Sequence, residues 1–269
     1  MTSYSCEQLL QEIETQSHAV VPFPVMRAEF RRAMDAYLAF LALPQADKDP
    51  IYHNIDLGDG RGGDVGYRKY RREEGKIDNR EFFHYHPEAE RQFADARARL
   101  PALDGLLIEM KRIHELATVT MGNILQTLDS RFPGLVDRFF PTHRTPNFTL
   151  RFLKYDAAAP GEFLAKGHYD RGGCTLALAE SAPGLRIGVD DLHLQEVVHD
   201  EGKALFMPAL NFPSFTNGAI RATWHDVVQK SEDTFNPEIA RWAIVFFADT
   251  YVKPKTTFEE RHTPKRIDY

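Results

Sequence analysis

The segment GHYDRGGCTLALAESAPGLRI spans residues 167–187 and decides the fold prediction. It contains one short apolar run at 174–179 and the start of another at 185–189. A turn pair precedes each run, Gly172-Gly173 and Pro183-Gly184. Short apolar runs bounded by glycine and proline predict β-strands joined by tight turns. The segment therefore predicts paired strands in the second half of the chain.

More strands of this kind are predicted on both sides of the segment. The run from Phe148 to Leu153 alternates apolar and mixed residues with the period of two that a strand requires. Further candidate strands lie at 192–198, 204–208, 220–228 and 242–248. Short strands at regular spacing favour a double-sheet jelly roll over alternating βαβ units. We therefore predict a double-stranded β-helix of the cupin-like jelly-roll type.

The first half of the chain has helical periodicity instead. Apolar residues recur at three- and four-residue steps over 5–17, 26–43 and 103–130. The predicted fold class is therefore mainly β with flanking α, in a single domain of residues 1–269. Within it we expect a helical or mixed supporting region at 1–146, a jelly-roll core carrying the site at 147–250, and a C-terminal tail or strap at 251–269.

Composition limits the classes of function. The chain has 269 residues, 43% hydrophobic and 27% charged, with a net charge of -6. The negative charge argues against nucleic acid or an anionic membrane as partner, and no apolar run reaches the roughly 18 residues of a membrane span. Two cysteines and the absence of a visible signal peptide favour a reducing cytoplasm. We expect a cytoplasmic protein whose partner is a small molecule.

His168 and Asp170 form half of a predicted metal site. Two residues apart on an extended strand, they face the same side, and His225 offers a third ligand. Two imidazoles and one carboxylate leave positions open on a metal, which suits iron(II) that must also bind substrate and oxygen. A structural zinc site would need a fourth ligand, for which Cys174 is the nearby candidate.

Arg241 opens the apolar run at 242–247. A guanidinium at the edge of such a strand is costly to bury without an anion. The sequence leaves two anions open. One is an internal Asp or Glu, and the other is a ligand carboxylate held by the two-pronged arginine fork.

Together these segments resemble the 2-oxoglutarate and iron(II)-dependent dioxygenases, in the branch of isopenicillin N synthase and the plant flavonoid and gibberellin oxygenases. The resemblance is clear over about 147–250 and fainter from the amino terminus to 146. The matching motifs are the iron-binding strand pair at 167–187, the Asn217-Gly218 turn before His225, Arg151-x-Leu153-x-Tyr155 for Arg-x-Asn-x-Tyr, Arg241-x-Ala243 for Arg-x-Ser, and Asp78-x-x-Glu81-x-Phe83 for Asp-x-x-Glu-x-Phe.

The resemblance implies roles for individual residues. His168, Asp170 and His225 would ligate the catalytic iron(II). Arg241 and Tyr155 would bind the distal carboxylate of the cosubstrate 2-oxoglutarate, and O2 would be the second cosubstrate. Ala243 and Leu153 replace a serine and an asparagine of the family pattern, so other groups would have to compensate. The candidates are Thr149, Arg151 and Thr223.

The implied reaction is oxidation, most simply hydroxylation, of a C–H bond in a small molecule, with conversion of 2-oxoglutarate to succinate. An intact Asp170 argues against the related halogenases, which have a small residue there. For the substrate we expect an amino acid or secondary metabolite. The candidate substrate residues are Tyr169, Arg171, Tyr67 and Phe247. Two alternatives remain open: an iron-dependent oxidase that does not use 2-oxoglutarate, and a non-catalytic cupin-like binding protein.

Two other motifs have simpler interpretations. The glycine-rich stretch at 58–66 contains a formal G-x-G-x-x-G but opens no helix, so a loop that acts as a lid is favoured over a dinucleotide site. His84 and His86 lack a carboxylate at a telling spacing and are predicted to be ordinary surface or pocket-lining histidines.

Overall fold

Two antiparallel sheets face each other in the computed structural model, which describes residues 4–56, 62–74, 78–230, 235–236 and 238–251. The predicted fold class, a jelly roll with flanking helices, is confirmed. Apolar side chains from both sheets meet between them, including Leu153 and Ala243 from one sheet and Leu185 and Val227 from the other.

The larger sheet has eight strands in the described residues, in the order β1-β10-β7-β12-β5-β4-β3-β2. The smaller sheet has four, in the order β6-β11-β8-β9. The bounds of the strands are β1 Ala19–Pro22, β2 Tyr52–Asp56, β3 Gly62–Tyr70, β4 Arg80–Tyr85, β5 Asn147–Asp156, β6 Phe163–Tyr169, β7 Cys174–Glu180, β8 Leu185–Gly188, β9 Leu194–Glu196, β10 Lys203–Pro208, β11 Trp224–Val228 and β12 Ile239–Asp249.

Helices cover the outer face of the larger sheet. The long helix α6 presents a stripe of fully buried residues, among them Met110, Ile113 and Met121, and packs with β4, β5 and β12. The bounds of the helices are α1 Cys6–Gln16, α2 Arg27–Leu41, α3 Gln45–Lys48, α4 Ala89–Gln92, α5 Ala94–Arg99, α6 Pro101–Asp129, α7 Leu135–Phe139 and α8 Phe212–Phe215, with one 3-10 turn at Arg72–Glu74. Among the described residues, no helix is both long and apolar enough to cross a membrane.

The pairing of β6 with β11 is irregular beside the predicted metal ligands. His168 pairs with His225, whereas Ala165 already pairs with Val227, so two residues of β6 oppose one residue of β11. An extra residue of this kind forms a β-bulge, which re-aims the side chains on either side of it. As a result Ala165 and His168 both line the space between the sheets.

The first half of the chain contributes more β-structure than its helical periodicity predicts. The three predicted helices match α1, α2 and α6, but β1 to β4 also come from residues before 146 and form half of the larger sheet. β1 has only four residues and ends at Pro22 on the edge of the sheet, and β4 is buried on both faces, so neither sequence has the apolar–polar alternation that predicts a strand. Residues 58–61 of the predicted glycine lid lie outside the described residues, whereas residues 62–66 form the start of β3. Nearly all of the predicted C-terminal tail also lies outside the described residues.

Candidate metal centre

The two histidines and the aspartate that were predicted to hold a metal come together at the end of β6. The ligand atoms of His168, Asp170 and His225 all lie within 4.8 Å of one another. The Nε2 atoms of the histidines are 3.7 and 3.8 Å from Oδ1 of Asp170, and the two imidazole centroids are 4.4 Å apart. His168 on β6, Asp170 just after β6 and His225 on β11 therefore converge on one point.

Hydrogen bonds fix the orientation of these ligands. Nδ1 of His168 lies 2.7 Å from the carbonyl oxygen of Lys166, so it donates there and leaves the Nε2 lone pair directed at Asp170. The hydroxyl of Thr175 donates to Oδ2 of Asp170 at 2.7 Å. A backbone carbonyl or hydroxyl behind a ligand is the usual outer support of a metal site, and His168 and Asp170 both have one.

The electrostatics of His225 and Asp170 match the protonation that a metal requires. Burial lowers the pKa of His225 to about 4, which keeps its imidazole neutral. Burial would raise the pKa of Asp170, but the two imidazoles and Thr175 hold it well below its ordinary value. Burial would lower the pKa of His168, but the adjacent carboxylate raises it above its ordinary value. The cluster therefore offers an anionic oxygen between two nitrogens, and a cation is its natural complement.

A cavity of about 600 Å³, including its open mouth, extends from these ligands between the sheets. Its walls are mostly apolar, but three arginines also line it: Arg80, Arg151 and Arg241. This lining, apolar with a few polar anchors, is typical of a small-molecule site. Cys174 does not belong to this centre, because its thiol is buried against Met121 on the helix-covered side.

Arg241 has an internal partner. Its Nη2 forms a buried ion pair with Oε2 of Glu180, and His199 lies beside the same carboxylate at 3.9 Å. Burial would raise the pKa of Glu180, but Arg241 and His199 outweigh burial and lower it, so this carboxylate is ionised. The structural acid that the sequence left open is therefore present. Nε of Arg241 is buried and has no hydrogen-bond partner in the described residues.

The structure separates the other candidates for cosubstrate binding into two groups. Tyr155 and Arg151 line the cavity together with Arg241, as the alternation along β5 predicts. Thr149 and Thr223 are not among the residues of the cavity wall. The hydroxyl of Thr223 donates instead to the carbonyl oxygen of Ser17 at 2.6 Å, so it serves the packing of the amino-terminal segment.

The candidate substrate residues separate in the same way. Phe247 lines the cavity, but Tyr67, Tyr169 and Arg171 do not. Tyr67 was predicted to be a substrate residue, but its ring packs on Phe40 beneath the helices, and its hydroxyl donates to Glu81. Its position on β3 places it on the opposite face of the sheet from the cavity.

Tyr169 and Arg171 flank Asp170 without joining the cavity wall. The ring of Tyr169 stacks edge-on against Trp224 at 4.8 Å, and its hydroxyl donates to the carbonyl oxygen of Val189. Arg171 is exposed. Because neighbours on an extended chain face opposite sides, residues adjacent to a ligand point away from the metal.

Sequence reasoning missed three residues of the cavity wall, Arg80, Glu180 and His199. His84, which was predicted to be a surface or pocket-lining histidine, is buried and lies behind Arg151. The signal for His84 was its place within the apolar run Phe82–Tyr85, where an embedded histidine is expected to be buried. Glu180 gave no local signal, because its partner Arg241 is 61 residues away.

Comparison with solved structures finds the same fold in proteins whose structures were determined with 2-oxoglutarate. The chain is similar to dioxygenase for auxin oxidation 1 of Arabidopsis thaliana, determined with 2-oxoglutarate, with 16% identity, a TM-score of 0.71, and coverage of 91% of this chain and 87% of that one.

Two further structures show the same fold. A full-length Neurospora crassa protein in complex with alpha-KG has 17% identity, a TM-score of 0.68, and coverage of 91% of this chain and 79% of that one. JOX2 in complex with 2OG, Fe and JA has 17% identity, a TM-score of 0.66, and coverage of 91% and 70%. No family model and no curated protein matches the chain.

Proposed function

We propose that this protein is an iron(II)- and 2-oxoglutarate-dependent oxygenase that hydroxylates a C–H bond of a small molecule. The observation that carries the proposal is the convergence of His168, Asp170 and His225 at one end of an arginine-lined cavity. The fold shared with solved oxygenases supports it. Within that class we propose the isopenicillin N synthase-like branch, on the motifs of the sequence.

The donor set fits iron(II). Two neutral imidazoles and a carboxylate hold one side of the metal and leave the other side to ligands from the cavity. The Lys166 carbonyl and the Thr175 hydroxyl keep His168 and Asp170 aimed at the same point. Bound there, the metal would supply activation of oxygen, with 2-oxoglutarate decarboxylated to succinate as the source of electrons.

The far end of the cavity fits the distal carboxylate of 2-oxoglutarate. Arg241, Tyr155 and Arg80 occupy neighbouring positions across β12, β5 and β4. Burial raises the pKa of Tyr155, so its hydroxyl stays protonated and can donate. Arginine has five donor hydrogens, which allows Arg241 to bind Glu180 and a second carboxylate together.

Apolar residues of the wall would protect the reaction from water. Phe247, Val245 and Met207 line the cavity beside the charged groups. Excluding water strengthens the charge interactions that hold both cosubstrate and metal, and it protects a strong oxidant from side reactions. The chain thus supplies geometry and a dry environment, and the metal supplies the chemistry.

A second candidate is an iron-dependent oxidase that does not use 2-oxoglutarate. The ion pair between Arg241 and Glu180 favours it, because the guanidinium already has an internal anion. In that case the arginine would stabilise the sheet, and oxygen would take all its electrons from one substrate.

Succinate release from 2-oxoglutarate, measured with added iron(II) and oxygen, separates these candidates. We expect slow succinate release even without substrate, and its loss by at least about a hundredfold in Asp170→Ala, because removing support behind a metal ligand alone costs roughly 10- to 100-fold. Asp191→Ala, an exposed carboxylate outside the cavity, is the matched control.

Each outcome has a clear meaning. Oxygen consumption without succinate release would favour the oxidase. Iron binding with neither oxygen consumption nor succinate release, across a broad substrate panel, would favour the cupin-like binding protein. Near-normal turnover in Asp170→Ala would show that the metal ligands are misassigned.

We further propose a cytoplasmic location, since Cys6 and Cys174 are both free thiols.

A further inference from the structure

Arg151 is the unbalanced charge in the cavity wall. Arg80 pairs with Asp78 at 3.1 Å, and Arg241 pairs with Glu180. Arg151 forms no ion pair with any residue that the structure describes, although it lines the same cavity. A buried guanidinium without a counter-ion is unfavourable, so the arrangement calls for an anion from outside the chain.

The guanidinium of Arg151 is held in place before any ligand arrives. Its Nε donates to Nε2 of His84 at 2.7 Å, and Nδ1 of His84 lies 3.2 Å from the carbonyl oxygen of Asp64. The rings of Phe82 and Phe247 lie 5.2 and 4.6 Å from its central carbon. With Nε engaged, the two Nη groups remain to bind a ligand, and an ordered fork loses little entropy when it does so.

Arg151 and Arg241 occupy different depths in the cavity. Arg241 pairs across the sheet with Tyr155, and Arg151 pairs with Val245. Arg151 therefore lies four residues nearer the metal end, about 13 Å along the strand at about 3.3 Å per residue. Burial and Arg80 lower the pKa of Arg151 to about 10, and the Asp170 carboxylate is the strongest influence in the opposite direction. One arginine is thus beside the metal and the other is remote from it.

A chelated 2-oxoglutarate has a single distal carboxylate, which the remote arginine accounts for. The arginine beside the metal is then available to the substrate. Besides the polar groups already named, its neighbours are apolar, since Phe82, Phe247, Val245 and Leu153 surround or adjoin its position in the sheet. A ligand that complements both the Arg151 guanidinium and its apolar neighbours has one acidic group on an apolar body.

We propose that the substrate is a small carboxylic acid with an apolar body, whose carboxylate binds the two Nη groups of Arg151, and that His84 positions this arginine. The inference rests on the proposed function, because it assigns Arg241 to the cosubstrate. It narrows the predicted substrates to those that carry a free carboxylate, such as an amino acid or an acidic metabolite.

The test uses pairs of molecules that differ only in charge. Straight-chain and aryl carboxylic acids of about four to ten carbons, each with its primary amide, are titrated into protein loaded with iron(II) and 2-oxoglutarate in the absence of oxygen. Binding is followed by calorimetry and by the visible absorption of the iron–2-oxoglutarate chelate. We expect at least one acid to bind about tenfold or more tightly than its amide, as a charge-assisted pair predicts.

Variants then locate the preference. Arg151→Gln should abolish the preference for the acid over the amide and leave the Kd of 2-oxoglutarate within about twofold, whereas Arg241→Gln should weaken 2-oxoglutarate by about tenfold or more. Arg151→Lys should retain part of the preference. Arg99→Gln, an exposed arginine on α5, is the matched control and should change neither Kd.

His84 is tested through the same readout. His84→Phe removes the acceptor for Nε and should weaken acid binding several-fold without changing the Kd of the amide. His84→Gln retains an acceptor oxygen and should restore most of the affinity.

The inference is overturned if the wild type shows no preference for any acid, or if Arg151→Gln retains it. It is also overturned if Arg151→Gln weakens 2-oxoglutarate instead, because Arg151 would then bind the cosubstrate. Failure of the proposed function would give a different result, because 2-oxoglutarate would then not bind the wild type. In that case the acids and amides would be titrated into the protein loaded with iron(II) alone.

Discussion

The two faces of the larger sheet are formed by the same strands but have opposite chemistry. On the helix-covered face, Phe148, Phe152 and Phe246 are fully buried. On the cavity face the alternate residues of the same strands include Arg151 and Arg241. One face is arranged for stability, and the other face carries charges whose cost only a partner or a ligand offsets. Adjacent residues of one strand lie on opposite faces. A substitution at one of them should therefore affect stability, and a substitution at its neighbour should affect ligand binding.

The largest contrast is expected between Phe246→Ala and Val245→Ala. Phe246 packs against His114 and Phe148 at ring distances of 5.3 and 5.5 Å, so its loss should lower the free energy of unfolding by about 3–5 kcal/mol. Val245 is partly buried on the cavity face, and its truncation should cost only about 1–2 kcal/mol.

Denaturant unfolding followed by circular dichroism measures both changes. Equal costs would mean that the cavity face is as tightly packed as the helix-covered face, which would contradict the division between them.

A titratable group on the helix-covered face gives the next largest effect. His114 on α6 lies with Nε2 at 3.1 Å from the carbonyl oxygen of Phe148, and burial lowers its pKa to about 4. A histidine in the unfolded chain has a pKa of about 6.5. As the pH falls, the imidazole of His114 is therefore protonated first in the unfolded chain. His114 should therefore contribute its full stability above about pH 6.5 and lose it towards about pH 4, by about 3 kcal/mol at most.

His114→Gln keeps a donor for Phe148 and removes the titration. The free energy of unfolding of this variant should vary less with pH between about 6.5 and 4 than that of the wild type. An unchanged slope in His114→Gln would assign the pH dependence to other groups.

On the cavity face, the smallest of the three effects is expected for Glu180→Gln. Removing this charge frees Arg241 for the cosubstrate, so the KM for 2-oxoglutarate should fall by up to about tenfold, the worth of one charge-assisted hydrogen bond. Glu196→Gln, at an exposed ion pair with Lys230, is the matched control. A higher KM would mean that Glu180 is needed to orient Arg241, and succinate release in both variants supplies the measurement.

The sequence predicted those features that depend on local periodicity. Alternation along β5 placed Arg151 and Tyr155 on one face, and the two-residue spacing of His168 and Asp170 placed those two side chains on one face. Both predictions follow from the geometry of an extended chain.

Features that depend on long-range pairing were not predicted. Glu180 and Arg241 are neighbours only because β7 and β12 pair in the sheet. Tyr67 was expected at the substrate, but the face it occupies depends on the register of β3 with β4, which no local pattern gives. Phe82–Tyr85 of β4 was harder still, because a strand buried on both faces loses its alternation.

The irregular pairing of β6 with β11 makes Gly167 and Trp224 responsible for the direction in which His168, a proposed metal ligand, points. Ala165 and His168 are three residues apart, and a regular strand would turn residues at that odd spacing to opposite faces. The extra residue in β6 cancels this reversal, so His168 faces the cavity. Gly167 has room only for hydrogen there, because a Cβ atom would lie 2.7 Å from the ring of Trp224. Even a methyl group at position 167 would therefore have to displace the indole or the strand, and it would disturb His168 without touching the metal.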